Sequence, residues 1–165
     1  QELQANTYSI SNIKAYKLAL GSKIGEYSIM LFGNNNSNLS SLDNRFTEKS
    51  KNTFEKVQTQ TIDNFCKKQA ISKIDFLKID TEGYDLEVLK GCTEMLESDK
   101  IDIIFAEFST KKIPGKVLLS DIDHFLNKYQ MICVGIYDQH FALHYGNALF
   151  AKQKNLPKNL QQTLD

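Results

Sequence analysis

The stretch that most constrains the fold is "IDFLKIDTEGYDLEVLKG", residues 74–91, where an apolar run stops at Asp80, Thr81, Glu82 and Gly83 and a helical pattern begins. A short continuous apolar run reads as a strand covered on both faces. Feeding it directly into an amphipathic segment produces the strand-to-helix unit from which open α/β sheets are assembled. The helical pattern sets Leu86, Leu89, Cys92 or Thr93, and Leu96 along one face. Asp85 and Glu87 fall in its first turn, where acids favour the positive end of the helix dipole. Gly83 lets the backbone bend between the two elements.

The same alternation continues downstream. "IDIIFAEFS" (101–109) reads as a second buried strand and "LLSDIDHFLNKYQ" (118–130) as a second amphipathic helix. "MICVGIYD" (131–138) and "NALFAKQ" (147–153) supply a third and a fourth strand. Strand, helix, strand, helix, strand implies right-handed crossovers and an open, mainly parallel sheet with helices on both faces. The fourth strand, reached by a short connection, should run antiparallel to the third. Upstream, "NIKAYKLALG" and "EYSIMLFG" alternate apolar and polar positions across a turn bounded by Gly21 and Gly25, as a hairpin would. "NNNSNLSSLDNRFTEKSKN" (34–52) has no period and reads as a long surface loop, and "TIDNFCKKQAI" (61–71) as a short helix. The domain is expected to occupy residues 1–152, and residues 153–165 a polar tail.

Composition limits what such a sheet can serve. The 165 residues, 41% apolar, suffice for one domain with its own core. Twenty basic residues balance twenty acidic ones, so no global field draws the chain to nucleic acid or to an anionic membrane. No run approaches the roughly 18 apolar residues of a membrane helix, and the expectation is a cytoplasmic protein. The chain opens "QELQANTYSI" without an initiating methionine, which suggests a missing upstream part. Cys66, Cys92 and Cys133 are odd in number and form no C-x-x-C pair, so free buried thiols are expected rather than a disulfide or a metal site. His140 and His144 lie between two strands without the Glu of H-E-x-x-H and read as loop residues. Lys111 and Lys112 either solvate a loop or recognise an anionic acceptor.

Open α/β sheets bind ligands outside the carboxyl ends of their parallel strands, and Asp80 and Glu107 both fall at such ends. Glu82, in the turn, can point into the same space. The plain alternative is that Asp80 caps the helix and Glu82 is solvated.

"FLKIDTEGYDLEVLKGCTEML" followed by "IDIIFAEFS" resembles the FkbM-type family of S-adenosylmethionine-dependent methyltransferases, with its K-I-D-x-E-G strand end, its E-x-L-x-G helix and a next strand ending in Glu. "KLALGSKIGEYSIMLFG", "LSSL", "TIDNF" and "NALF" are similar to further segments of that family, from about residue 13 to residue 152. The resemblance implies a class I methyltransferase fold and O-methylation of a hydroxyl on a sugar or complex natural product. It implies Asp80 as general base or substrate-positioning group, with Glu82 and Glu107 orienting the acceptor or balancing the cationic cofactor. Ala19 and Leu20 would lie against adenine. No Gly-rich cofactor loop can be built from the glycines at 21, 25, 33, 83, 91, 115, 135 and 146. Residues 13–18 would then be the third strand, and the first two strands of the fold would lie upstream. An exposed sheet edge of that kind could drive homo-oligomerisation. Two alternatives stand beside this reading. One is a haloacid dehalogenase-like phosphatase with Asp80 as nucleophile, Glu82 as acid and Mg²⁺ between them. The other is a non-catalytic remnant that binds a partner.

Overall fold

A computed structural model describes residues 10–31, 53–140 and 142–157. The strands are β1 (Ala19–Leu20), β2 (Gly25–Leu31), β3 (Thr53–Gln60), β4 (Ile74–Ile79), β5 (Ile101–Ser109), β6 (Met131–His140) and β7 (Tyr145–Lys152). The helices are α1 (Ile62–Lys68), α2 (Asp85–Lys90), α3 (Thr93–Glu97) and α4 (Leu119–Asn127). They build a mixed α/β structure with two open mixed sheets, ordered β1-β3-β2 and β4-β5-β7-β6.

In the larger sheet β4 and β5 pair in parallel, while β7 inserts antiparallel between β5 and β6. The fourth strand is antiparallel to the third, as its short connection demands. Its position beside β5 as well as β6 makes the ladders mostly antiparallel, so the expected mainly parallel sheet is corrected to a mixed one. The arrangement is consistent with part of a methyltransferase fold.

Helices on both faces are not what the described residues form. Ile62 and Cys66 from α1, Val88 and Leu89 from α2, Met95 and Leu96 from α3, and Ile122 and Leu126 from α4 join one core with Ile79, Ile104, Ala106, Phe108, Ala148 and Phe150. All four helices therefore bury against one face. On the other face Phe76 stacks on Phe105 at 6.4 Å and Phe105 meets Tyr137 at 6.0 Å. Phe76 is 55% exposed, so β4 is not covered on both sides, although Ile79 on its inner face is buried. Among the described residues β4 has one ladder partner, β5, and stands at the sheet edge.

The expected hairpin is also corrected. β1 and β2 do not pair with each other; both pair with β3, a strand whose polar sequence TFEKVQTQ concealed it. Buried Thr59 of β3 points its hydroxyl at the carbonyls of Lys23 and Gly25, 3.0 and 3.1 Å away, and so ties down the turn between them. Residues 13–18 form no strand. Tyr16 turns instead to α1, donating to Gln69 Oε1 at 3.0 Å and meeting the Phe65 ring edge-on at 4.9 Å. The loop expected at 34–52 lies outside the described residues.

α1 starts where the sequence indicates, with the Thr61 side chain accepting from the Asn64 amide. The single helix expected over residues 84–98 is broken at Gly91 and Cys92 into α2 and α3. Gly91 lies so close to the β1–β2 turn that a Cβ there would stand 2.2 Å from the Gly21 carbonyl oxygen. Its own carbonyl accepts from the Asp63 amide at 3.0 Å, and the Asp63 carboxylate accepts from the Glu94 and Met95 amides, both at 3.0 Å. α3 is thus capped by a residue of α1. The three thiols are free, but only Cys66 and Cys92 are buried; Cys133 is exposed on β6. His140 ends β6 rather than lying in the loop, with its ring 4.8 Å from that of Tyr145, and His144 sits in the turn that follows.

Candidate functional site

The seam between β4 and α2 is a left-handed turn. Glu82 has φ +49° and Gly83 φ +92°, a region that side chains other than glycine and asparagine rarely adopt. Gly83 is required for space as well, since a Cβ there would lie 2.1 Å from the Gly115 carbonyl oxygen. The turn is held from behind by Asp85, which is 1% exposed. One of its oxygens, Oδ2, accepts from Thr81 Oγ1 at 3.1 Å and from the Gly83 amide at 3.3 Å. The other is buried without a hydrogen-bond partner. Burial pushes the Asp85 carboxyl up to about 6 against the opposing hydrogen bonds, and the charge of Glu107 adds to the rise.

In front of the turn stands a triad of charges. Lys116 Nζ donates to Glu82 Oε2 at 2.9 Å and to Glu107 Oε2 at 2.6 Å, and lies 5.6 Å from the centre of the Tyr145 ring. The three side chains are 20%, 23% and 14% exposed in the order Lys116, Glu82, Glu107. Burial acts to lower the Lys116 pKa, but its bonds to Glu107 and Glu82 and their charges outweigh it, holding the ammonium above its ordinary value. Lys116 is delivered by the loop after β5, where Gly115 has φ +72° and packs against Gly83. That loop is anchored by the Ser109 amide, which donates to the Val117 carbonyl at 2.7 Å.

Glu82 and Glu107, two of the three acids singled out from the sequence, therefore share one cation at the carboxyl ends of adjacent parallel strands. Asp80 stands apart, half-exposed, with Lys78 Nζ 2.6 Å from its carboxylate. It does not cap α2, whose N-cap position is Tyr84. Ala19 lines a cavity of about 780 Å³ on the smaller sheet, whereas Leu20 packs against the core. Just beyond them Gly21 abuts Tyr84, and Ser22 Oγ donates to Glu87 Oε2 at 2.6 Å, so the end of β1 lies beside the start of α2. A second cavity, of about 670 Å³, is flanked by Gly83, Tyr84, Lys112, Lys116 and Asp121.

Lys116 and Tyr145 were not singled out from the sequence, and Asp85 was noted only as an acid in the first turn of its helix. Asp85 carried one weak signal, its position four residues after Thr81 and two after a glycine. Lys116 follows a Pro-Gly turn, but nothing local says which acids it meets. Among the described residues no group of three or more His, Cys, Asp or Glu is arranged to hold a metal ion. Among the same residues no helix is long and apolar enough to cross a membrane.

The family model for the methyltransferase FkbM domain matches residues 2–133. No curated protein and no solved structure matches the chain. The match contains β1 to β5, all four helices, the left-handed turn and the Glu82–Lys116–Glu107 triad, and it stops within β6. With most of its length and the whole of its acid-bearing seam inside that match, the chain belongs to the FkbM methyltransferase family.

Proposed function

We propose that the chain transfers a methyl group from S-adenosylmethionine to a hydroxyl of a sugar or complex natural product. The observation that supports this most is the pair Glu82 and Glu107, held at the carboxyl ends of neighbouring parallel strands and already sharing an ammonium. Two carboxylates that stabilise one positive charge at 2.6 and 2.9 Å suit the cationic end of such a cofactor. When bound, the cofactor supplies an electrophilic methyl group on a sulfonium sulfur.

The residues of the chain have the remaining tasks. Methylating a hydroxyl requires the oxygen to be aligned with the methyl group and its proton removed. Asp80 is the accessible carboxylate at the seam and serves as base or as acceptor for the substrate hydroxyl, with Lys78 beside it. Glu82 and Glu107 orient the acceptor or balance positive charge. Ala19, in the cavity on the smaller sheet, and Leu20 are assigned to the adenine side.

Calorimetric titration with S-adenosylmethionine and S-adenosylhomocysteine tests the reading, followed by methyl transfer to hydroxyl acceptors by the wild-type chain and by Asp80→Asn. Micromolar binding and a loss of transfer in Asp80→Asn support it. Binding without any loss in Asp80→Asn removes Asp80 from the chemistry. A second reading, a partner-binding module without its own cofactor site, is favoured by the open β4 edge and exposed Phe76. Absence of binding to either compound would select it.

A further inference from the structure

We propose that Asp85 is a positioning residue for Glu82: its buried carboxylate holds the turn at residues 81–83 in the left-handed form that carries Glu82 onto Lys116. The inference rests on the methyltransferase reading only where cofactor binding is the measurement.

Three observations converge on it. Glu82 sits at φ +49° without being glycine, so its conformation has to be imposed by its neighbours. The two groups that Asp85 Oδ2 accepts from, Thr81 Oγ1 and the Gly83 amide, come from the residues on either side of Glu82. One carboxylate oxygen thus brackets the strained residue. From the far side the Gly115 carbonyl closes on Gly83, which leaves the turn no room to relax outward.

A first-turn acid suits the helix dipole, but that alone does not require Asp85 to be buried and turned toward residues 81–83. It is the first residue of α2, yet α2 has no side-chain cap, and the carboxylate faces back toward the turn rather than out to water. Burying a carboxylate is unfavourable unless it is hydrogen-bonded, and the bonds Asp85 makes are those to Thr81 and Gly83. The groups that face it are Thr81 and Gly83 from the turn and Glu107 from β5, with Lys116 and Glu82 beyond Glu107. Asp85 and the triad are therefore coupled twice, through the backbone of the turn and through the field of Glu107.

The experiment is a pH titration of isotopically labelled protein, following by NMR the Gly83 amide and, separately, the carboxyl carbons of Asp85, Glu82 and Glu107 and the ammonium end of Lys116. Wild type is compared with Asp85→Asn and Asp85→Ala, each also titrated with S-adenosylhomocysteine. In wild type the Gly83 amide should move together with the Asp85 carboxyl at a midpoint of about 6. Asn keeps an oxygen that can accept both hydrogen bonds, so Asp85→Asn should retain the Glu82 and Lys116 signals and abolish that midpoint. Asp85→Ala should move the Glu82 and Lys116 signals toward those of unpaired side chains. It should also weaken S-adenosylhomocysteine by about tenfold or more, with Asp85→Asn within about threefold of wild type.

A Gly83 amide in wild type that ignores the titration of Asp85 overturns the proposal without any variant. So do unchanged Glu82 and Lys116 signals in a folded Asp85→Ala. If the signals behave as expected while wild type binds no S-adenosylhomocysteine, the positioning role stands and the methyltransferase reading falls.

Discussion

Replacing Lys116 with methionine keeps much of the side-chain stem and deletes the ammonium that Glu82 and Glu107 share. The wild-type bonds are 2.6 and 2.9 Å long, and the three side chains are 14–23% exposed, between the surface and the buried regimes. Exposed pairs contribute about 0–1 kcal/mol, whereas breaking a fully buried pair costs about 3–5 kcal/mol. Two charge-assisted bonds are lost together, and each acid recovers some hydration through its exposed part. The expected loss at pH 7 is therefore about 2–3 kcal/mol. For a chain of this size that lowers Tm by roughly 4–10 °C.

The pH dependence separates this cause from simple loss of packing. Without Lys116 the two carboxylates lose the cation they share, and their mutual repulsion vanishes when they are protonated. The gap between wild type and Lys116→Met should narrow as pH falls, because protonation removes the charges that create it. Urea unfolding at several pH values measures the gap, and adding Glu107→Gln to Lys116→Met should recover part of it at pH 7. A gap that is the same at both ends of the pH range, or below about 0.5 kcal/mol at pH 7, would refute the electrostatic account of the triad.

Four further outcomes follow from other contacts. Gly83→Ala must place a Cβ 2.1 Å from the Gly115 carbonyl oxygen at φ +92°, and should cost about 3 kcal/mol or more in chemical denaturation. Asp63→Ala removes the acceptor that caps α3 from α1 and should cost about 1–2 kcal/mol, with amide exchange accelerated at Glu94 and Met95 first. Lys152, 2% exposed, donates to the Leu96 and Tyr129 carbonyls and pairs with Asp99, so Lys152→Ala should lower stability by about 2–3 kcal/mol in a thermal melt. For Asp85 the folded carboxyl keeps its proton up to about 6 while the unfolded one releases it near 3.8, so the native state binds more protons in that window and stability falls as pH rises. The decline is on the order of 3 kcal/mol, and it should be absent from Asp85→Asn in urea titrations between pH 4 and pH 7.

The parts of this molecule that were legible in its sequence are those in which period reports burial. β5 occupies residues 101–109, as its largely apolar run indicates, and α1 begins after the Thr61 cap. The seam at residues 80–83 was legible because an acid at the end of an apolar run lies at a sheet edge whatever the neighbouring strands are. Period does not name a partner, however. β3 escaped because TFEKVQTQ buries little beyond Thr59, and the assumed hairpin failed because β1 and β2 each found β3 instead of each other. The helical face through Leu86 to Leu96 was real in its burial, yet the backbone contact of Gly91 with Gly21 breaks it, a constraint stored 70 residues away. The same logic explains the site. Two of its acids could be placed from topology alone, but their counter-ion could not, because Lys116 lies in an aperiodic loop whose position depends on Gly115 closing against Gly83. Two glycines in two loops thus decide whether Glu82 and Glu107 share a cation or remain a pair of like charges, and each reveals that role only when the other is placed against it.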